Sequence, residues 1–137
     1  MIQTIPIDAH IYPQLRTPRP EPYTTRLVFK ARGRTLLVHV REIHWIAAEE
    51  NYVRIGTDRE THLLRGTMMS FEQKLDPQMF LRVHRSAMVN LLYVKGVGTG
   101  AKGDFVVHLA SGHRVAMSRS YHARLGDLLT RASGRVA

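Results

Sequence analysis

At 137 residues the chain has the length of one domain, and its 44% hydrophobic residues are enough for a core that needs no staples. The absence of cysteine excludes a disulfide framework, a thiolate metal centre and a cysteine nucleophile, and no apolar run approaches the roughly 20 residues of a transmembrane helix. Twenty Lys and Arg against eleven Asp and Glu leave a net charge of +9 and a pI near 10.6, an electrostatic footprint of nucleic-acid binders that basic membrane-surface proteins share.

Residues 1–24 hold five of the six prolines, and "RTPRPEPYTT" biases the chain toward extended backbone because each proline disfavours helix at the residue before it. Residues 1–25 therefore read as a Pro-rich arm or linker, with a basic arm lying along DNA as the alternative. The segment has no basic region followed by an apolar run, so it is not a signal peptide, and the expected location is the cytoplasm. The domain is expected over residues 26–132, with a short tail at 133–137.

From Leu27 the pattern is β. "RLVFK" and "TLLVHV" flank "ARGR", whose Gly33 sits where a hairpin turn needs positive φ. "REIHWIAAE" predicts a turn and then a strand with Ile43, Trp45 and Ala47 on one face. "YVRIGT" follows, with Val53, Ile55 and Thr57 sharing a face, and pairs with "ETHLLR". The period then changes to helical: Met68, Phe71, Leu75 and also Met69 recur on one side, Thr67 is the N-cap, and Asp76-Pro77 ends the helix.

"FLRVHRSAMVNLLYVKGVGTG" mixes core residues with Arg82, His84, Arg85, Ser86 and Asn90. A strand is expected up to Arg85, then a tight or helical turn in "SAMVN". Three short strands follow near Val94–Thr99, Phe105–Leu109 and His113–Met117, joined by Gly-rich hairpin turns. Ser118 or Ser120 caps a last helix, Tyr121–Arg131, whose Tyr121, Leu125, Leu128 and Leu129 form one stripe. The fold class is mainly β, with short, mostly antiparallel strands and two short helices.

Enzyme chemistry finds little support in these residues. In "GVGTGAKGD" the Lys does not directly follow the last Gly of a phosphate loop, no hydroxyl follows it, and the segment leads into a strand. His39/His44 and His108/His113 are each five apart, which in strands means opposite faces, and no carboxylate set accompanies them, so neither a metal nor a cofactor is expected. Ser86 near His84 lacks an orienting acid. Binding fits better: nine Lys and Arg against Asp104 and Asp127 in residues 82–137 supply +7 of the net +9. Arg85 on a rigid strand end has the planar fork that grips guanine O6 and N7. Arg82, Ser86 and Asn90 are candidates for phosphate contact, against the plainer readings of a solvated Arg82 and of Ser86 and Asn90 capping their own backbone. His84 reads as an inward, hydrogen-bonded ring. Lys95, Lys102, Arg114 and Arg124 are further phosphate candidates. The alternatives are a single-strand or RNA module, which needs more exposed aromatics than this chain offers, and a basic face meeting an acidic protein.

"IHWIAAEENYVRIGT", "LLRGTMMSFEQKL", "FLRVHRSAMVNLLYV" and "HRVAMSRSYHARL" resemble, in order and spacing, the LytTR-type DNA-binding domains of bacterial transcription regulators. The resemblance covers about Arg26 to Arg131. It implies an elongated sandwich of short strands whose loops enter successive major grooves of double-stranded promoter DNA, commonly as two copies on a repeated site, with no small-molecule substrate. By motif, Asn51 and Tyr52 with Glu50 fall in a first reading loop, Arg85 in the second, and Arg119 and Ser120 in a third. Two positions depart from the family: Glu50 stands where Gly is common, and Ser120 where a second basic residue is common. LytTR domains usually follow a receiver domain, and residues 1–25 are too few to be one. The chain is therefore expected to be either a stand-alone regulator or a piece of a longer one.

Overall fold

The computed structural model describes residues 23–133, with side chains through Asp127. The expected N-terminal arm and C-terminal tail therefore lie almost wholly outside the described residues. Strands β1 (Arg26–Ala31) and β2 (Arg34–His39) form an antiparallel hairpin from Arg26↔His39 to Ala31↔Arg34. Its turn is Arg32-Gly33, with φ of 54° and 76°. A two-residue I′ turn needs positive φ at both positions, so Arg32 joins the expected Gly33 in the left-handed region.

A 3₁₀ turn at Val40–Glu42 leads into β3 (Trp45–Glu49), β4 (Tyr52–Gly56) and β5 (Thr61–Arg65). Helix α1 (Met68–Lys74) is followed by β6 (Phe80–His84) and β7 (Ala87–Asn90). After a second 3₁₀ turn at Leu91–Tyr93 come β8 (Val94–Thr99), β9 (Phe105–Leu109), β10 (Arg114–Met117) and helix α2 (Arg119–Ser133). The larger sheet runs β5-β4-β3-β7-β6 and the smaller β10-β9-β8, and every strand pairing is antiparallel.

The five-stranded sheet is covered on both faces. Ile46, Val53, Ile55, Leu64, Phe80 and Met88 pack with Leu27 and Val38 of the hairpin and Met68, Phe71 and Leu75 of the α1 region. Leu81, Val83, Ala87 and Val89 pack on the other side with Val107, Leu109, Val115, Met117 and, from α2, Leu125. Adjacent residues such as Met88 and Val89 therefore enter different cores, as the two-residue period of a strand dictates.

This double burial explains where the strands differ from expectation. "SAMVN" is no turn: Ala87–Asn90 is a central strand buried throughout, and a strand covered on both faces reads as an unbroken apolar run. Only Arg85 and Ser86 make the turn. Ile43, Trp45 and Ala47 do not share one strand face, because β3 begins at Trp45; Ile43 ends the 3₁₀ turn and joins the first core, while Trp45 packs on the second. Trp45 lies across its partner Gly56 so closely that a Cβ there would stand 2.2 Å from Cε2.

The helices follow local rules. Thr67 caps α1, accepting from the Ser70 N–H while the Ser70 hydroxyl accepts from the Thr67 N–H. Met69 is 65% exposed and lies outside the apolar side of α1 to which it was assigned. Helix α2 spans 15 residues, longer than the expected 121–131, and packs through Tyr121 and Leu125. The side chains of Leu128 and Leu129 lie outside the described residues.

Candidate nucleic-acid interface

Three loops converge on one end of the five-stranded sheet. The β3–β4 turn, Glu50-Asn51, and the β6–β7 turn, Arg85-Ser86, flank β3, and the Ala48 N–H donates to the Ser86 carbonyl at 2.9 Å. The β10–α2 junction reaches the same end, where the Ser118 N–H donates to the Val83 carbonyl at 2.9 Å. The β8–β9 loop joins it, since the Arg119 Nε donates to the Gly103 carbonyl at 3.3 Å.

Arg85 is exposed at its turn, and among the described residues its guanidinium has no hydrogen bond or ion pair. The residues around it are all held. Ser86 donates its N–H to His84 Nδ1 at 3.2 Å, and its hydroxyl lies 3.0 Å from the same nitrogen. His84 is thus half-buried and hydrogen-bonded, in keeping with its expected inward setting. Arg82 is neither solvated nor open to solvent: its side chain is 16% exposed and faces Glu72 of α1. Its Nη1 donates to Glu72 at 2.5 Å, its Nε to the His84 carbonyl at 3.0 Å and its Nη2 to the Arg85 carbonyl at 2.5 Å.

Asn90 follows the capping reading and not the phosphate one. It is 0% exposed, donates from Nδ2 to the Ile43 carbonyl at 2.8 Å, and accepts from the Leu92 N–H at 2.9 Å. Its side chain caps the Leu91–Tyr93 turn and has no path to a phosphate.

Asn51 and Tyr52 are exposed at the first loop. The Asn51 carbonyl accepts from the Gly66 N–H at 3.1 Å. The Tyr52 ring is covered by Arg65, whose guanidinium carbon lies 5.5 Å from the ring centroid and whose Nη1 donates to the phenol oxygen at 3.3 Å. Glu50 holds a φ of 59°, a left-handed conformation that side chains rarely adopt. At the third loop Arg119 and Ser120 are exposed, and the Ser120 hydroxyl lies 3.1 Å from that of Ser118.

The remaining basic candidates are dispersed. Lys102 is exposed in the loop that Arg119 touches. Lys95 is the second residue of β8, near the strand's end away from that loop, and Arg114 opens β10, three residues before Met117 at the converging end. Arg124 is exposed on α2, with its guanidinium carbon 5.8 Å from the Tyr121 ring centroid. Sequence reasoning missed Glu72 and Arg65. Neither forms a periodic pair with its partner, and only the strand and helix packing brings them together.

Three histidines stack on aromatic rings. His44 stacks on Tyr93 at 3.8 Å, His113 on Trp45 at 4.4 Å and His122 on Phe105 at 3.8 Å. Desolvation lowers the His113 pKa below the usual 6.5. Among the described residues no cluster of three or more His, Cys, Asp or Glu is placed to hold a metal ion. No helix there is long and apolar enough to cross a membrane.

Comparison with known proteins agrees with this architecture. The family model described as the LytTr DNA-binding domain matches residues 33–130. The sensory transduction protein LytT of Enterococcus faecalis is 29% identical over 100 residues, which are 73% of this chain and 41% of that protein. The heme-containing CO-sensing transcriptional regulator RcoM 2 of Paraburkholderia xenovorans is 32% identical over 99 residues, 72% of this chain and 37% of that regulator. The chain thus spans about two fifths of the length of these relatives. A LytTr DNA-binding domain from Bacillus cereus superposes with a TM-score of 0.69 at 23% identity, covering 77% of this chain and 97% of that one. The mainly β fold with its antiparallel sheets is the one expected, and the chain belongs to the LytTr DNA-binding domain family.

Proposed function

We propose that the chain binds double-stranded promoter DNA sequence-specifically, with its three clustered loops reading successive major grooves. The observation that carries this reading is Arg85: a cation at the tip of a two-residue turn, free of protein partners among the described residues, while its neighbours are locked. A guanidinium presented in this way can donate two parallel bonds to guanine O6 and N7. Asn51, Tyr52, Arg119 and Ser120 supply further base contacts from the flanking loops, and Ser86, Lys102, Arg114 and Arg124 are the candidates for phosphate, whereas Lys95, at the far end of β8, falls outside this face. Two copies on a repeated site would fit the family resemblance. The protein acts without chemistry of its own and without a small-molecule substrate.

The test is selection of bound sequences from a random duplex pool, followed by binding of the recovered site to Arg85→Ala. The expected result is a motif repeated at about one helical turn, ~10–10.5 bp, and a loss of about 1–3 kcal/mol with relaxed preference at one base pair. Equal recovery of all sequences, or preferential binding to single strands at the same salt, would replace this reading with a non-specific or single-strand module.

A further inference from the structure

We infer that Arg82 and Glu72 form a positioning pair that presets the Arg85 turn for base recognition, an assignment that rests on Arg85 being a base reader. Strand β6 has a bulge between Arg82 and His84, so the chain leaves its regular ladder just before the turn. Arg82 fills that irregularity. Its Nε and Nη2 donate to the carbonyls of His84 and Arg85, the two peptide groups that flank the Arg85 side chain's attachment, and its Nη1 is anchored by Glu72. Only a planar fork reaches three acceptors in these directions; a lysine ammonium is a single point on a flexible stem.

The other side of the turn is fixed independently, through Ser86 to His84 Nδ1 and through the Ser86 carbonyl to Ala48. Both peptide planes beside Arg85 are therefore set before any ligand arrives, and the ordering cost of placing the reading side chain falls. Glu72 has a further effect. It lies on α1, outside the three loops, and holds the Arg82 charge inward and neutralised. An arginine paired in this way would have to break an ion pair and two carbonyl bonds to reach a phosphate. Arg82 is thus assigned to position Arg85, and the phosphate role falls away.

The two roles give different signatures. A phosphate contact contributes about 0.9 to the slope of log K against log salt and acts equally on all sequences. A positioning residue leaves that slope alone and acts only where Arg85 reads a base. The experiment measures binding by fluorescence anisotropy to the selected duplex and to a scrambled duplex across a salt series. The proteins are wild type, Arg82→Lys, Glu72→Gln, Arg85→Ala and the double variant Arg82→Lys/Arg85→Ala, each checked for folding by thermal melting.

The expected result is that Arg82→Lys weakens binding to the selected duplex at least tenfold and Glu72→Gln severalfold. Both leave the scrambled duplex and the salt slope unchanged and flatten the base preference that Arg85→Ala flattens. In the double variant, adding Arg82→Lys costs nothing beyond Arg85→Ala, because the first residue acts only through the second. If Arg82→Lys does not fold, the partly exposed Glu72→Gln carries the same comparison. Equal weakening on both duplexes with a shallower salt slope, additive losses in the double variant, or wild-type binding by the single variants would overturn the assignment. An Arg85→Ala variant that keeps full affinity and base preference would instead remove the reading on which it rests.

Discussion

The Ser118 N–H and the Val83 carbonyl, 2.9 Å apart, tie the start of α2 to the strand that carries Arg85. Val83 is wholly buried, and its neighbour Met117 is equally inaccessible. The third loop therefore inherits the rigidity of the second, and Arg85 and Arg119 are presented from one end of the molecule although more than thirty residues separate them.

With that end as the proposed binding face, the fold decides which cations a duplex would meet. Lys102 lies in the loop that Arg119 touches, whereas Lys95 stands near the other end of β8, about 13 Å from the loop end of a strand that rises ~3.3 Å per residue. Lys102→Ala is expected to lower the salt slope of duplex binding by about 0.9 and to weaken all sequences alike. Lys95→Ala is expected to change neither. A slope change for Lys95→Ala alone would move the bound duplex to the opposite end.

Glu50 combines a strained backbone with an unfavourable charge. A left-handed conformation costs a side-chain-bearing residue about 1–2 kcal/mol, and glycine returns about 0.5–1 kcal/mol of that as chain entropy. Glu50→Gly is expected to raise stability by about 0.5–1 kcal/mol in urea unfolding. It should also tighten duplex binding at low salt by removing an anion from the loop edge. A lower urea midpoint would mean that the Glu50 side chain contributes a contact outweighing the strain.

Asn90 separates capping from binding. Asn90→Ala removes the donor to the buried Ile43 carbonyl and uncaps the Leu92 N–H of the part-buried turn, at a cost of about 1–3 kcal/mol. Duplex affinity and salt slope, measured well below the melting temperature, should stay at wild-type values. A reduced slope with unchanged stability is the outcome that would restore a phosphate role.

His113 links stability to acid. Its pKa is lowered in the folded protein by desolvation, with Trp45 covering one face of the ring. Below its ordinary value of 6.5 the unfolded chain binds the proton more readily than the folded one, so this contribution to stability is present above 6.5 and declines as pH falls through that value. An NMR titration should place the His113 midpoint under 6.5, and Trp45→Leu should move it upward. A midpoint unaffected by that substitution would assign the shift to other neighbours.

Much of the fold was readable because it follows local rules. The Gly33 hairpin turn, the Thr67 cap and the three C-terminal strands each announce themselves within a few residues. The misread strands both lie in the sheet that is buried on its two faces. "SAMVN" carries no alternation to mark it as a strand, because both faces of β7 are buried. The alternation read from Ile43 runs through a 3₁₀ turn before β3 begins at Trp45. Within the site, the exposure of Arg85 follows from its place between a strand and a polar turn residue. The capture of Arg82 by Glu72 depends on where α1 docks against β6, and no spacing in the chain encodes that.

The brevity of the Arg85-Ser86 turn restricts how such a protein can acquire a new target. Ala87 and Val89 of β7 enter one core and Met88 the other. Lengthening the loop by one residue in a way that slipped β7 along its neighbours would send each of these side chains to the wrong layer. Exchanging the side chain displayed at this tip leaves β7 in register, whereas an added residue is tolerated only if the turn absorbs it without moving the strand.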